Sequence, residues 1–163
     1  MNKIYAGIGS RETPYAVQKD MYEIAFALAR KGYTLRSGGA DGADKAFEAG
    51  CDDAVIGKKE IFLPWPKFNG NPSILMVPTP EAYVEAKRFH PKWSSLDDKG
   101  RAFMARNAHQ VLGSDLITPV DFILFWTKSG GAMGGTGQAL RMAKFYQIKT
   151  YCIGRDDVNH LLK

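Results

Sequence analysis

Asp121-Phe122-Ile123-Leu124-Phe125-Trp126-Thr127, followed by the glycine-rich stretch Ser129 to Gln138, decides the fold. A strand with one wet face alternates apolar and polar residues. A run that is apolar at nearly every position, bounded by polar residues, is instead a strand buried on both faces, the situation of a central parallel strand. Its loop ends in Gly134-Gly135-Thr136-Gly137 and opens a helix read over Gln138 to Tyr146, after which Lys149 to Ile153 (KTYCI) reads as a further strand before a polar tail.

The same unit recurs toward the N-terminus. Residues 3–8 (KIYAGI) read as a strand ending at Gly9-Ser10-Arg11. Thr13-Pro14 then opens a helix with Val17, Met21, Ile24, Ala25 and Leu28 at helical spacing, and Gly32 ends it. Tyr33 to Ser37 (YTLRS) is a second strand, and Gly38 to Asp44 leads into a helix ending near Gly50. Lys59 to Leu63 (KEIFL) is a third strand. Pro64, Pro66, Gly70, Pro72, Pro78 and Pro80 then interrupt regular structure, so that about 64–95 reads as a Pro- and aromatic-rich insertion. Within it, Pro80 opens a short helical stretch, and Arg101 to Leu112 (RAFMARNAHQVL) is a clearer amphipathic helix. Strands alternating with helices imply right-handed crossovers and an α/β fold: one Rossmann-like domain over 1–163, with a doubly wound parallel sheet.

Composition bounds the function. At 163 residues and 45% hydrophobic content the chain builds one core without disulfides or metal. Its apolar runs are far shorter than the ~20 residues needed to cross a bilayer, and no signal-peptide pattern follows Met1, which reads as a cytoplasmic protein without membrane contact. Cys51 and Cys152 have no second Cys or His at ligand spacing, so no metal site or redox pair is expected. A net charge of +5 suits a phosphate-bearing ligand, yet the basic residues are scattered, which permits nucleic-acid binding without implying it.

In open parallel sheets ligands bind beyond the carboxyl ends of the strands, where three loops should converge: Gly9-Ser10-Arg11, Ser37 to Asp44, and Ser129 to Gln138. Each combines glycines, which let backbone N–H groups approach a ligand, with a helix start, whose unpaired N–H groups and dipole favour an anion. In the first, Ser10 is a hydroxyl donor or a helix cap, and Arg11 a bidentate phosphate partner or a surface side chain. In the second, Ser37, Gly38, Gly39 and Ala40 line the turn, and Asp41 and Asp44 either cap the helix or accept from ribose hydroxyls. In the third, Gly134, Gly135 and Gly137 cradle phosphate while Thr136 and Gln138 offer side-chain hydrogen bonds. Arg106 and Asn107 could reach a phosphate and a base or ribose edge, whereas Arg101 reads as a solvated side chain. His90 and His109 have no nucleophile beside them and receive no role. Among Trp65, Phe68, Phe89 and Trp93, which either stack on a base or pack on the domain or a partner subunit, Trp65 is the candidate for the ligand.

Taken together, Gly9-Ser10-Arg11, Ser37 to Asp44, Arg106-Asn107 and Gly134 to Gly137 resemble the SLOG superfamily. That superfamily joins the DNA-processing protein DprA (Smf) with the LOG-type phosphoribohydrolases once labelled lysine decarboxylases. The resemblance runs from about Ile4 to Ile153, with no counterpart for Pro64 to Trp93. It implies a Rossmann-like sheet, nucleotide binding by those loops, and homodimers. The Ser37 to Asp44 loop and the Arg-Asn pair are similar to the DprA pattern S-G-x-A-x-G-I-D with its R-N pair. The phosphoribohydrolase pattern P-G-G-x-G-T-x-x-E falls on Met133 to Arg141, where the glycines are kept but Arg141 stands in place of the catalytic Glu. A guanidinium can neither share a proton near neutral pH nor stabilise a developing positive sugar, although it can add a phosphate contact.

The reading that follows is a binding module for a nucleotide or nucleotide-derived phosphorylated molecule, sensed, carried or sequestered without turnover, with no cofactor. One alternative is an N-glycosidic phosphoribohydrolase, in which Asp41, Asp44 or Glu48 would replace the missing Glu. The other is a DprA-like DNA-binding recombination mediator, against which stands the absence of a basic stripe interleaved with aromatics. Base identity, phosphate number and a linear or cyclic ligand are not encoded in any motif.

Overall fold

The computed structural model describes residues 2–75 and 78–163; Met1, and Met76 and Val77 within the 64–95 segment, lie outside the described residues. Five strands, β1 (Ile4–Gly7), β2 (Thr34–Ser37), β3 (Lys58–Ile61), β4 (Phe122–Phe125) and β5 (Lys149–Cys152), form one sheet in the order β3-β2-β1-β4-β5. Every pairing is parallel, with Tyr5 beside Leu35 on one side and Phe122 on the other. The sheet is flanked by α1 (Tyr15–Arg30), α2 (Ala43–Asp53), α3 (Pro80–Arg88), α4 (Asp98–Leu112) and α5 (Gly134–Phe145), with a short α6 (Asn159–Leu162) where the sequence reads as a polar tail. This is a single α/β domain of Rossmann-like form, doubly wound about β1, where the strand order reverses.

Alternation along the strands builds two cores. Tyr5, Leu35, Phe122 and Leu124 point to one face and pack with Met21, Leu28 and Phe47 of α1 and α2. Ala6, Ile123 and Phe125 point to the other and pack with Ala105, Ala108 and Val111 of α4 and Ala139 and Met142 of α5. Because β4 is covered on both faces, its Phe-Ile-Leu-Phe sequence is buried throughout, and each such side chain removed from water contributes about 1.5–3 kcal/mol.

Several boundaries differ from the sequence reading for local physical reasons. The helix expected to end near Gly50 continues to Asp53, because Gly50 is a packing residue: a Cβ there would lie 2.1 Å from the Tyr22 carbonyl oxygen of α1. The glycines Gly134 to Gly137, expected in the loop ahead of a helix starting at Gln138, form the first turn of α5 itself. The 64–95 segment carries a 3-10 turn at Phe68–Gly70, α3 and a second turn at Trp93–Ser95. Thr79 caps α3 by accepting from Ala82 N at 3.2 Å, with Pro80 at the first helical position. Asp97 caps α4 by accepting from Gly100 N at 2.7 Å, which starts that helix earlier than its apolar stripe does. Among the described residues no helix is long and apolar enough to cross a membrane.

Candidate functional site

β1 and β4 are sheet neighbours, but their chains leave for opposite faces, α1 on one side and α5 on the other. A crevice opens between the departing loops. It is a pocket of about 510 Å³, within the range of small-molecule sites. Ile8 to Glu12 after β1, Thr127 and Lys128 after β4, and Met133 to Thr136 at the start of α5 form its walls. Ala40 and Asp44, with Gly100, Phe103, Met104, Arg106, Asn107 and Gln110 of α4, complete its lining.

The floor is a connected polar network. The Arg106 guanidinium, 6% exposed, donates to the Gly38 carbonyl through Nη1 and to Asn107 Oδ1 through Nε at 3.0 Å. The Gln110 amide oxygen accepts from Gly38 N at 3.1 Å and Arg106 Nε at 3.2 Å. This tuck requires glycine at 38, because a Cβ would stand 2.3 Å from Arg106 Nη1. Asn107 Nδ2 donates to the Gly135 carbonyl at 3.1 Å, which ties α4 to the first turn of α5. Asp44, 4% exposed, accepts from Ala40 N at 3.2 Å. Burial pushes its carboxyl up to about 6 against the opposing attraction of Arg106. Burial likewise holds the Arg106 guanidinium below its ordinary value, partly offset by Asp44.

The open side is suited to an anion. The α5 N-terminus carries no side-chain cap, so its first N–H groups face the pocket beside Gly134, Gly135 and Thr136. Ser10 is held by its own turn, its Oγ accepting from Glu12 N at 3.0 Å and its N–H donating to Trp126 O at 3.2 Å. Arg11 stacks over the Phe103 ring at 5.4 Å, and Arg11 and Lys128, both exposed, set positive charge at the rim. Glu12 is the one rim carboxylate among the pocket's described residues, Asp44 lying deeper.

The structure brings together Gly9, Ser10, Arg11, Ala40, Asp44, Arg106, Asn107, Gly134, Gly135 and Thr136, and places the other expected residues elsewhere. Ser37 is fully buried and donates to the Gly7 carbonyl at 2.6 Å. Gly38 supports the floor from behind, while Gly39 turns toward Leu63 and accepts from Asn69 Nδ2 at 3.1 Å. Asp41 points to solvent in an ion pair with Lys45 at 2.6 Å, which holds its carboxyl below the ordinary range. Glu48 pairs with Lys59 at 2.8 Å and accepts from Asn71 at 2.9 Å. Trp65 packs edge-on against Phe68 and Phe103 at 5.2 and 5.1 Å, behind the pocket wall. Gly137 closes the α5 turn onto Met133 O, and Gln138 is sealed against α3. Arg141 lies two turns along α5, with Nε donating to the Phe89 carbonyl at 2.7 Å. Sequence reading missed Gln110, Phe103, Thr127 and Lys128. The helical spacing 103-106-107-110, one face of a helix that carries the Arg-Asn pair, is the signal that could have found the first two.

Fold and site together define a Rossmann-like α/β domain with a partly basic pocket at its topological switch point. Among solved structures the chain is similar to DNA processing protein A from Helicobacter pylori, with a TM-score of 0.58 and 21% sequence identity, over 98% of this chain and 71% of that one. That structure was described for its unique single-stranded DNA binding mode. At this identity the likeness establishes the fold. No protein-family model and no curated protein sequence matches the chain.

Proposed function

We propose that the switch-point pocket binds a phosphorylated nucleotide unit without cleaving it. The observation that carries this reading is the meeting in one crevice of two independent anion-binding features, the uncapped start of α5 and the Gly9-Ser10-Arg11 turn, over a floor in which Arg106, its donors spent on Gly38 and Asn107, adds buried positive charge. The phosphate sits on backbone N–H groups of Gly134 to Thr136 with Arg11 and Lys128 at the rim, and the base lies along Phe103 and Met104. The unit belongs to single-stranded DNA in preference to a free nucleotide. The likeness to a DNA processing protein supports DNA, as does a pocket open at the rim, where a chain can enter and leave.

Turnover has little to work with. Arg141 lies outside the pocket with Nε on the Phe89 carbonyl, Asp41 is paired with Lys45, and Asp44, the buried carboxyl of the pocket, has beside it Arg106 and the Ser37 hydroxyl, which donates to the Gly7 carbonyl. Gly135→Val tests the binding reading. Its Cβ meets the flexible Met104 Cε at 3.2 Å, so the fold survives while the branched methyls stand over the phosphate cradle. Calorimetry with thymidine monophosphate and with an oligothymidylate should show binding lost in the folded variant; unchanged affinity refutes the cradle. Release of free base or sugar phosphate from nucleoside monophosphates, followed by chromatography and abolished in Asp44→Asn, would replace binding by hydrolysis.

A further inference from the structure

A second cationic and aromatic cluster lies outside the pocket, where the end of α3, the Trp93–Ser95 turn, the first turn of α4 and the middle of α5 meet. The Arg101 guanidinium lies over the Trp93 ring at 5.7 Å, and His90 stands edge-on to the same ring at 6.4 Å. Arg141, anchored to the Phe89 carbonyl, is close enough to His90 that its charge, after burial, holds the imidazole below its ordinary value. All four side chains are half-buried.

This charge is uncompensated. Among the described residues Arg88 has Glu85, Arg36 has Glu60 and Lys59 has Glu48 and Asp52 within ion-pair distance, whereas Arg101 and Arg141 have no carboxylate there. Asp97 and Asp98 lie one turn before Arg101, but Asp97 is committed to capping Gly100. Arg101 Nε is out of solvent with no hydrogen-bond partner, and burial lowers the Arg141 guanidinium from its ordinary value. Partly dehydrated guanidiniums without an acid cost stability that an anion would offset. Trp93 beside them offers a planar face, and a phosphate next to a planar ring is the chemistry of a nucleotide.

The cluster continues the pocket. Gly100, Phe103 and Met104 of α4 line the pocket wall, and Arg101 lies one helical turn before Met104. We propose that Arg101, Arg141, His90 and Trp93 form a second nucleotide subsite, which takes the phosphate and base of the residue adjoining the one held in the pocket. This rests on the pocket reading and sharpens it, since a ligand that fills both places is an oligonucleotide.

The test measures dissociation constants by calorimetry for thymidine monophosphate and for oligothymidylates of two to eight nucleotides. Wild type is compared with Arg101→Gln and Trp93→Leu, each checked for native circular dichroism. The oligomers should bind wild type at least tenfold more tightly than the monophosphate. Each variant should lose roughly fivefold or more of oligomer affinity and none for the monophosphate, and Arg101→Gln should flatten the salt dependence by about 0.7 in log-log slope, one phosphate contact on a single strand. Oligomer binding and salt slope unchanged in both variants overturn the subsite while leaving the pocket intact. Loss of monophosphate and oligomer binding by equal factors also overturns it, since the residues would then act on the pocket. Failure of wild type to bind any probe refutes the pocket reading itself, and the subsite with it.

Discussion

Asp44 is the sharpest place to perturb this protein. Its carboxyl, at the deep end of the pocket, has a pKa pushed from 3.8 to about 6 by burial, with Arg106 pulling against that shift and Glu48 adding to it. A carboxyl raised on folding binds its proton more tightly in the native state. The stability this confers is complete below 3.8 and is lost as pH rises through about 6. Above that, the buried carboxylate costs roughly 3 kcal/mol, the interval between the two values converted at 1.36 kcal/mol per unit. Asp44→Asn keeps an oxygen to accept from Ala40 N and carries no charge, so it should be more stable than wild type at pH 7.5 by up to about 3 kcal/mol, with the gap closing toward pH 4. Urea unfolding at pH 4, 5.5 and 7.5 measures this. The same substitution should tighten oligothymidylate binding at pH 7.5, because it removes a negative charge from an anion site. Wild-type binding should strengthen from pH 7.5 to 5.5, a range in which phosphodiesters do not titrate. A gap that does not vary with pH, or a variant less stable than wild type at pH 7.5, refutes the reasoning.

Three further outcomes follow from the geometry. Trp65→Ala should lower stability by about 2 kcal/mol through loss of packing on Phe68 and Phe103, with little change in ligand affinity; reduced affinity at unchanged melting temperature would restore Trp65 to the site as a stacking residue. Arg11→Ala should weaken nucleotide binding roughly tenfold, as expected for loss of a charge-assisted phosphate contact of about 1.5 kcal/mol, while the melting temperature falls by no more than a few degrees; calorimetry that finds no loss removes Arg11 from the rim. A homodimer at micromolar concentration is expected from the superfamily resemblance and from exposed Val84 and Phe145 on α3 and α5; light scattering that gives a monomer mass removes it.

Sequence patterns pointed to the candidate pocket by two routes of unequal power. Gly9-Ser10-Arg11 and Gly134 to Thr136 were legible because glycine segments following several parallel strands converge at one edge of the sheet, and Arg106-Asn107 because an adjacent polar pair interrupts a helix's apolar face. The Ser37 to Asp44 loop shows the limit of that route: its pattern is contiguous, yet the chain sends Ala40 and Asp44 into the pocket, Asp41 into solvent and Gly39 behind the wall. Direction along a turn depends on each residue's φ and ψ, which residue type alone does not set.

What the sequence determined by itself is the layered α/β architecture, since period-two and period-3.6 burial and a strand apolar on both faces are one-dimensional signatures of how elements are covered. What only the tertiary structure decided is which polar groups pay their desolvation cost to one another. Arg106 spends its donors on Gly38 and Asn107, residues 68 and 1 positions away. Arg141 spends Nε on Phe89, 52 positions away. Arg101 keeps Nε unpartnered beside Trp93. A guanidinium is the same in any sequence, and whether it is a structural clamp or an anion site depends on the acceptors that the fold, not the chain order, brings within about 3 Å.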